Sequence, residues 1–379
     1  MNLKGISFAI TMLAAGTACS LVTKSFGQID VSPGPSQSPV PYNHPAILTT
    51  LMFIGEFSSF PVYGAKKCFK KDKPVKRNPD KKPYKLFPHI FLFLAPTCFD
   101  LIASQLSNAA FYYALASVAQ ILKNLTLVLV ALLSFICFKS YRKTFDLDKG
   151  VGLILIIAGI GVAGWASVGF TDSAAVAATN PVMGALLMVA SCVFGAFFYI
   201  SEEFFLRRID ADPMQGVGSE GFWGLILYAI LLPIMNKVND PFGDGNMADL
   251  STWAYQFKNS PLIIGLTVYH IFNILLFNIS GMSITKYFSS STRVTLDALK
   301  TIFIWAGSFA LGLEKWNSKS TPITIAAFIV LTIGVFTYNR VIIKLPNIRK
   351  ANKILASDEM VCESEVYIEI SNPEDLVVV

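Results

Sequence analysis

Charge is scarce in this sequence. Only 15% of its 379 residues are Asp, Glu, Lys or Arg, 53% are hydrophobic, and the mean hydropathy is +0.54. A large water-soluble domain needs a more charged surface, so the composition points to a chain that crosses a bilayer many times. Histidine is scarcer still: His44, His89 and His270 stand far apart and offer no metal-ligand spacing. The six cysteines contain no CxxC pair, and most lie in apolar runs where a thiol packs as a small hydrophobe. That excludes a zinc ribbon and a disulfide framework. Walker A loops, GxSxG elbows and HExxH helices are absent too, which argues against an ATP-driven pump or an ordinary hydrolase. No metal and no cofactor is expected. The formal charge of +6 would suit a nucleic-acid partner if the basic residues formed one surface. They are divided among short polar loops, so no nucleic acid is expected either.

What the sequence does have is apolar runs. Ten of them, separated by polar breaks, start near Lys4, Pro45, Leu86, Ser117, Lys149, Pro181, Met214, Pro261, Tyr287 and Thr321. The expected fold is an all-α polytopic membrane protein with ten transmembrane helices. The third and fourth run together through Ser107–Ser117, "SNAAFYYALAS". The first run, "ISFAITMLAAGTACSLV", also has the shape of a signal peptide with cleavage near Ala18. It is taken here as a retained helix. The Gly-rich "AGIGVAGWASVG" of the fifth run follows no strand, so it suits close helix packing rather than a dinucleotide.

Lysine and arginine orient the runs. Loops on one side and the two termini carry 23 of them and the opposite loops four, so both termini are expected in the cytosol. The outer loop "GQIDVSPGPSQSPVPYNHP" is expected to be irregular, and "MADLSTWAYQF" to form a short surface helix. Residues 343–379 are expected to be a disordered cytosolic tail.

Ten runs divide into two sets of five, residues 1–170 and 181–342, and an odd number per set inverts the second relative to the first. Weak echoes agree. "SVAQILKNL" (Ser117–Leu125) aligns with "STRVTLDAL" (Ser291–Leu299), placing Lys123 opposite Asp297, and "GEF" (Gly55–Phe57) has a loose counterpart in "SEGF" (Ser219–Phe222).

These features, with "CFD" ending at Asp100, "EEFFLRR" (Glu202–Arg208), "VGSEGFWG" (Val217–Gly224) and "ITKYFSSSTRVTLDALKTIFIWAGSFALG" (Ile284–Gly312), resemble the drug/metabolite transporter superfamily. Within it they look like solute carrier family 35, subfamily F, in its member 6 branch, related to nucleotide-sugar and chloroquine-resistance-type transporters. The Thr292-Arg293 and Leu296-Asp297 pattern is the most specific part. The resemblance covers Met1 to about Arg340 and implies a ten-helix transporter of endolysosomal or related membranes, with no solute assigned.

The ninth run poses the chemical question. Arg293, Asp297 and Lys300 stand at i, i+4 and i+7, one face of a helix, and that face cannot meet lipid. Gln120, Lys123 and Asn124 form a polar stripe in the equivalent helix, and Asp100, Glu56 and Glu220 supply carboxylates. Lys123 is offered Asp297 or Asp100 as partner, and Arg293 is offered Asp297. Two readings stay open: locked ion pairs, or contacts with a solute. Glu56 is also a candidate proton carrier. Lys24, near the outer end of the first helix, either snorkels to the interface or sits at the solute site, where related transporters place a lysine. Glu202 and Glu203 are expected at the surface, with Arg207 bridging at i+4. Tyr112, Tyr113, Asn273 and Asn278 are candidate hydrogen-bond donors, and His270 a packed histidine.

The leading function is a secondary carrier of a small organic solute, an anion among the candidates, working by alternating access. The alternative is a non-transporting membrane scaffold; an intramembrane enzyme lacks a nucleophile–base pair. Expected partners are the solute, protons as a candidate co-substrate, the bilayer, and a sorting adaptor at the tail. The adaptor would read Tyr367 and Ile370, a YxxΦ pattern within "EVYIEI".

Overall fold

The computed structural model describes residues 3–69, 82–83, 85, 89–113, 116–143, 145–169, 180–239, 246–313 and 319–339. Its helices are α1 (Leu3–Phe26), α2 (Pro45–Phe57), α3 (Ser59–Phe69), α4 (Leu94–Tyr113), α5 (Ala116–Lys123), α6 (Leu125–Cys137) and α7 (Lys139–Lys143). They continue with α8 (Leu147–Gly169), α9 (Pro181–Arg208), α10 (Pro213–Met235), α11 (Leu250–Asn259), α12 (Pro261–Tyr287), α13 (Ser290–Ala310) and α14 (Ser320–Tyr338). Among the described residues, eight helical segments are long and apolar enough to cross a membrane; α8 and α13 are not among them. The chain is an all-helical, multi-pass membrane protein.

Local chemistry explains where these helices begin. Proline occupies the first helical position of α2, α9, α10 and α12, where its missing N–H costs nothing. Asn180, Asp212, Asp249, Ser260 and Ser289 each accept a backbone N–H from the first turn of the helix they precede. Asp212 adds a capping box with Gln215. Ser289 also corrects one expected boundary. Tyr287 ends α12 instead of opening the next helix, because Phe288 leaves helical dihedrals (φ −126°, ψ −90°) and Ser289 restarts the chain as a cap.

Two crossings are interrupted at their charged residues. Between α2 and α3, Ser58 stays near helical geometry (φ −60°, ψ −12°), two residues after Glu56. Between α5 and α6, Asn124 does the same (φ −67°, ψ −11°), one residue after Lys123, and its side chain donates to the Gln120 and Ile121 carbonyls. A side chain bonding back into the helix ladder is a known cause of such bends.

Small residues set the closest helix contacts. On α10, a side chain at Gly218, Gly221 or Gly224 would strike Phe60, the Glu56–Phe57 backbone or Phe53, so α10 and α2 cross antiparallel at Glu56. Gly152, Gly159 and Gly334 bring α8 against α14; of the Gly-rich run, Gly159 takes part in that packing and Gly161 does not. α1 packs on α12 and α13, and α4 packs on α9.

The two ends of the bundle differ. One gathers the Lys66–Asp212 pair (3.6 Å), the Lys286–Asp210 pair (3.0 Å), and β3 (Lys82–Pro83) beside β4 (Ile209–Asp210). The other holds the outer loop and α11, which was expected there. That loop is not irregular as expected: β1 (Asp30–Val31) pairs antiparallel with β2 (Val40–Pro41). Tyr42, buried against Phe26, donates its N–H to the Ile29 carbonyl, and Gln256 of α11 donates to the Val31 carbonyl. These anchors fix the hairpin's register.

Candidate functional site

The charged face of α13 turns inward. Arg293 is 2% exposed, Lys300 4% and Asp297 9%, so none of the three meets lipid. Asp297 Oδ1 lies 2.6 Å from Lys300 Nζ, an i, i+3 pair, and the ammonium stands over Phe277. Arg293 does not take Asp297. Its Nη1 donates to Glu202 Oε2 of α9 at 2.5 Å, and its guanidinium lies over the rings of Phe198 and Tyr199. Gly281 of α12 makes the room, because a Cβ there would stand 2.5 Å from Arg293 Nε.

Glu202 therefore corrects the surface expectation: it is fully buried, the residues one turn away, Phe198, Tyr199, Phe205 and Leu206, being apolar or aromatic. Glu203 does bind Arg207 (2.5 Å), but it too is buried, and its second oxygen accepts from the Ser290 N–H (2.8 Å) and hydroxyl. Beside this pair the hydroxyls of Tyr141, Tyr338 and Ser291 form a chain, at 2.5 and 2.6 Å. These contacts tie α9, α13 and α14 together at the Lys66–Lys286 end.

Above them lies a cavity of about 150 Å³. Its wall runs from mid-bundle toward the hairpin end, reaching Thr23 near the end of α1 and Leu48 near the start of α2. Asp100, Lys123, Arg293, Asp297 and Lys300 all line it, so five of the expected residues, from three helices, meet in one space. Lys123 takes neither expected acid: among the described residues it makes no ion pair, and Nζ donates to Ser107 Oγ at 3.4 Å. Asp100 accepts from Ser104 Oγ at 3.2 Å.

The other candidates stand behind or beside the wall. Glu56, 2% exposed, accepts from Asn278, which is a wall residue. Glu220 is buried at the α2–α10 crossing. Gln120 and Asn124 are packed inside the protein, Asn124 donating to Thr301 of α13. Lys24 follows wall residue Thr23 but is not itself in the wall. Asn273 donates to the Tyr269 carbonyl and serves its own helix. The Tyr112 side chain, Tyr367 and Ile370 lie outside the described residues.

Sequence reasoning missed Glu202, Phe198, Tyr199, Ser104 and Ser107. Glu202 left one trace: Arg207 at i+4 serves Glu203, which leaves Glu202 in an apolar helix without a local partner.

A family model, described as solute carrier family 35, matches residues 41–340. The chain belongs to solute carrier family 35. It is 29% identical over 302 residues to solute carrier family 35 member F6 of Rattus norvegicus, covering 79% of this chain and 78% of that one. The Homo sapiens protein of the same name is also 29% identical, over 304 residues with the same coverage. An uncharacterised protein of Schizosaccharomyces pombe is 26% identical over 345 residues, 89% of this chain and 98% of its own. The family match takes in every wall residue except those of α1, which lies before residue 41.

Proposed function

We propose that this family 35 protein is a secondary carrier that moves a small organic solute through the cavity by alternating access. The observation that carries the reading is Lys123: a cavity-lining ammonium, set at a helix break, that makes no ion pair among the described residues. An intramembrane cation without a counter-charge is costly, and a solute group is a natural partner for it.

The packing supports ten crossings in two inverted sets of five, residues 1–170 and 181–342. Exchanging each crossing with the fifth one after it maps the α1–α12 contact onto α9–α4 and the α1–α13 contact onto α9 with α5 and α6. The α2–α10 and α8–α14 contacts map onto themselves. Lys123 and Asp297 exchange under the same operation. The two halves would rock about this axis. In the present state the Arg293–Glu202 pair, the Glu203–Ser290 contact and the tyrosine hydroxyl chain close the Lys-rich end, while the cavity faces the hairpin end. Glu56, linked to the wall through Asn278, is the candidate for a coupling proton. The charge asymmetry supports cytosolic termini, and the family resemblance supports an endolysosomal membrane.

Proteoliposomes exposed to a metabolite extract, with trapped solutes read by mass spectrometry, test the carrier reading. At least one solute should accumulate with the wild type. Lys123→Gln should abolish that uptake while keeping the wild-type melting temperature within a few degrees. Absence of any accumulated solute would favour the scaffold reading, and normal uptake by Lys123→Gln would remove Lys123 from the site.

A further inference from the structure

The cavity wall holds five charges, and most are already answered. Lys300 is paired with Asp297 and Arg293 with Glu202. That leaves one cation and one anion, Lys123 on α5 and Asp100 on α4, both partly exposed to the cavity while the paired charges are buried. They do not meet. Each rests on a serine hydroxyl of α4: Lys123 Nζ on Ser107 (3.4 Å) and Asp100 Oδ1 on Ser104 (3.2 Å). Those serines are three residues apart, about 4.5 Å along the helix axis.

The surroundings give this gap a polarity. Lys123 shares its end with Lys300, whose charge Asp297 cancels, so that end carries a net positive charge. Asp100 has Arg293 and then Glu202 as its strongest charged neighbours, and those two are paired with each other, so Asp100 is the charge left open at its end. A plain anion on Lys123 would leave Asp100 facing it unanswered, and a plain cation on Asp100 would leave Lys123. Uncompensated charge in a nonaqueous site is costly either way. The same wall also carries apolar and aromatic side chains, Met52, Phe111, Phe198, Ile274 and Phe277, alongside polar ones such as Asn108, His270 and Asn278.

We propose that the cavity binds a small zwitterion, its carboxylate on Lys123 and its ammonium on Asp100, and that α-amino acids with uncharged side chains are the class it takes. This rests on the cavity being the solute site of the proposed carrier. The ligand closes both ion pairs at once, and its side chain lies on the aromatic wall.

The test uses the full-length protein in detergent and reads thermal stabilisation and calorimetric binding. The probes are leucine and phenylalanine, leucinamide (no carboxylate), and N-acetyl-leucine and the α-keto acid of leucine (no ammonium). The two amino acids should raise the melting temperature in a saturable way, and the three analogues should not. Lys123→Gln and Asp100→Asn should each weaken leucine binding about ten- to hundredfold, the range for a lost charge-assisted contact. Asp100→Asn should also bring the keto acid level with leucine. The panel on the wild type stands by itself if a variant fails to fold. Equal stabilisation by the keto acid would make this an anion site and overturn the proposal. Equal stabilisation by leucinamide, or no response to any probe, would overturn it too. Amino-acid binding without flux in proteoliposomes would sink the carrier reading alone. Flux of another solute without amino-acid binding would sink only the zwitterion.

Discussion

Arg293 is held from two helices other than its own. Glu202, Phe198 and Tyr199 of α9 take its charge and its faces, and Gly281 of α12 leaves the space for it. A pair this deeply buried is fragile to single removals, because the survivor keeps an uncompensated charge. Arg293→Met and Glu202→Gln should each cost about 3–5 kcal/mol, and the double variant should cost well below their sum. Gly281→Ala forces the guanidinium aside and should cost about 1–3 kcal/mol; combined with Arg293→Met it should add little. Unfolding midpoints of the detergent-solubilised protein check both cycles, and strict additivity would mean the residues are not coupled as described. At this scale the sequence was half legible. The i, i+4, i+7 spacing put three charges on an inward face, and their burial agrees. It also suggested Asp297 for Arg293, while the true partner lies 91 residues away on another helix.

Among the elements, the hairpin and α11 make a cap over the cavity end of the bundle. His44 joins them: one ring nitrogen lies 2.8 Å from Gln256 Oε1, and the ring packs edge-on to Tyr42. Burial lowers the His44 pKa below its ordinary 6.5, with the Gln256 contact and nearby Asp249 pulling the other way. The folded cap therefore keeps His44 neutral where a released cap would take up a proton, so the cap gains stability as pH rises through this range. Its full stability is present above 6.5 and is lost as pH falls from 6.5 toward the lowered value. Hydrogen exchange over residues 28–42, corrected for the intrinsic pH effect, should show weaker protection on the acid side. His44→Gln should remove the difference, and pH-independent protection in the wild type would contradict this account. Acidification on the cap's side of the membrane would then loosen the cap. The helix starts were legible as breaks in the apolar runs; the caps that fix them, Ser289 above all, were not read in advance. The hairpin was not legible, since its register also depends on Gln256, which is 225 residues from the Val31 carbonyl it meets.

At the scale of the whole molecule, contacts among the described residues gather Lys66, Lys82, Arg207 and Lys286 at one end and the hairpin with α11 at the other. The positive-inside bias is the ground for the proposed orientation, in which the first end is cytosolic. An impermeant lysine reagent applied to sealed, cytosol-out vesicles should label the segment between Lys66 and Lys85 and spare Lys237 and Lys258. The reverse pattern would invert the assignment. On the proposed orientation, the Tyr367–Ile370 pattern would stand on the side of a cytosolic adaptor. If the proposed endolysosomal address is read there, Tyr367→Ala should shift the protein toward the cell surface in imaging, and an unchanged distribution would end that role.

Composition and periodicity alone made this a membrane-spanning helical chain with charges that must face inward, because both follow from the energy of placing side chains in lipid. Polar breaks between apolar runs located most helix starts, and proline marks those of α2, α9, α10 and α12. The pairing of the charges belonged to tertiary structure. Which acid meets Arg293, and which cation stands open, depends on how α4, α5, α9 and α13 converge, and no spacing along the chain encodes that distance. Lys123 and Asp100 were visible as intramembrane charges from the start; only the fold placed them on one cavity wall without joining them.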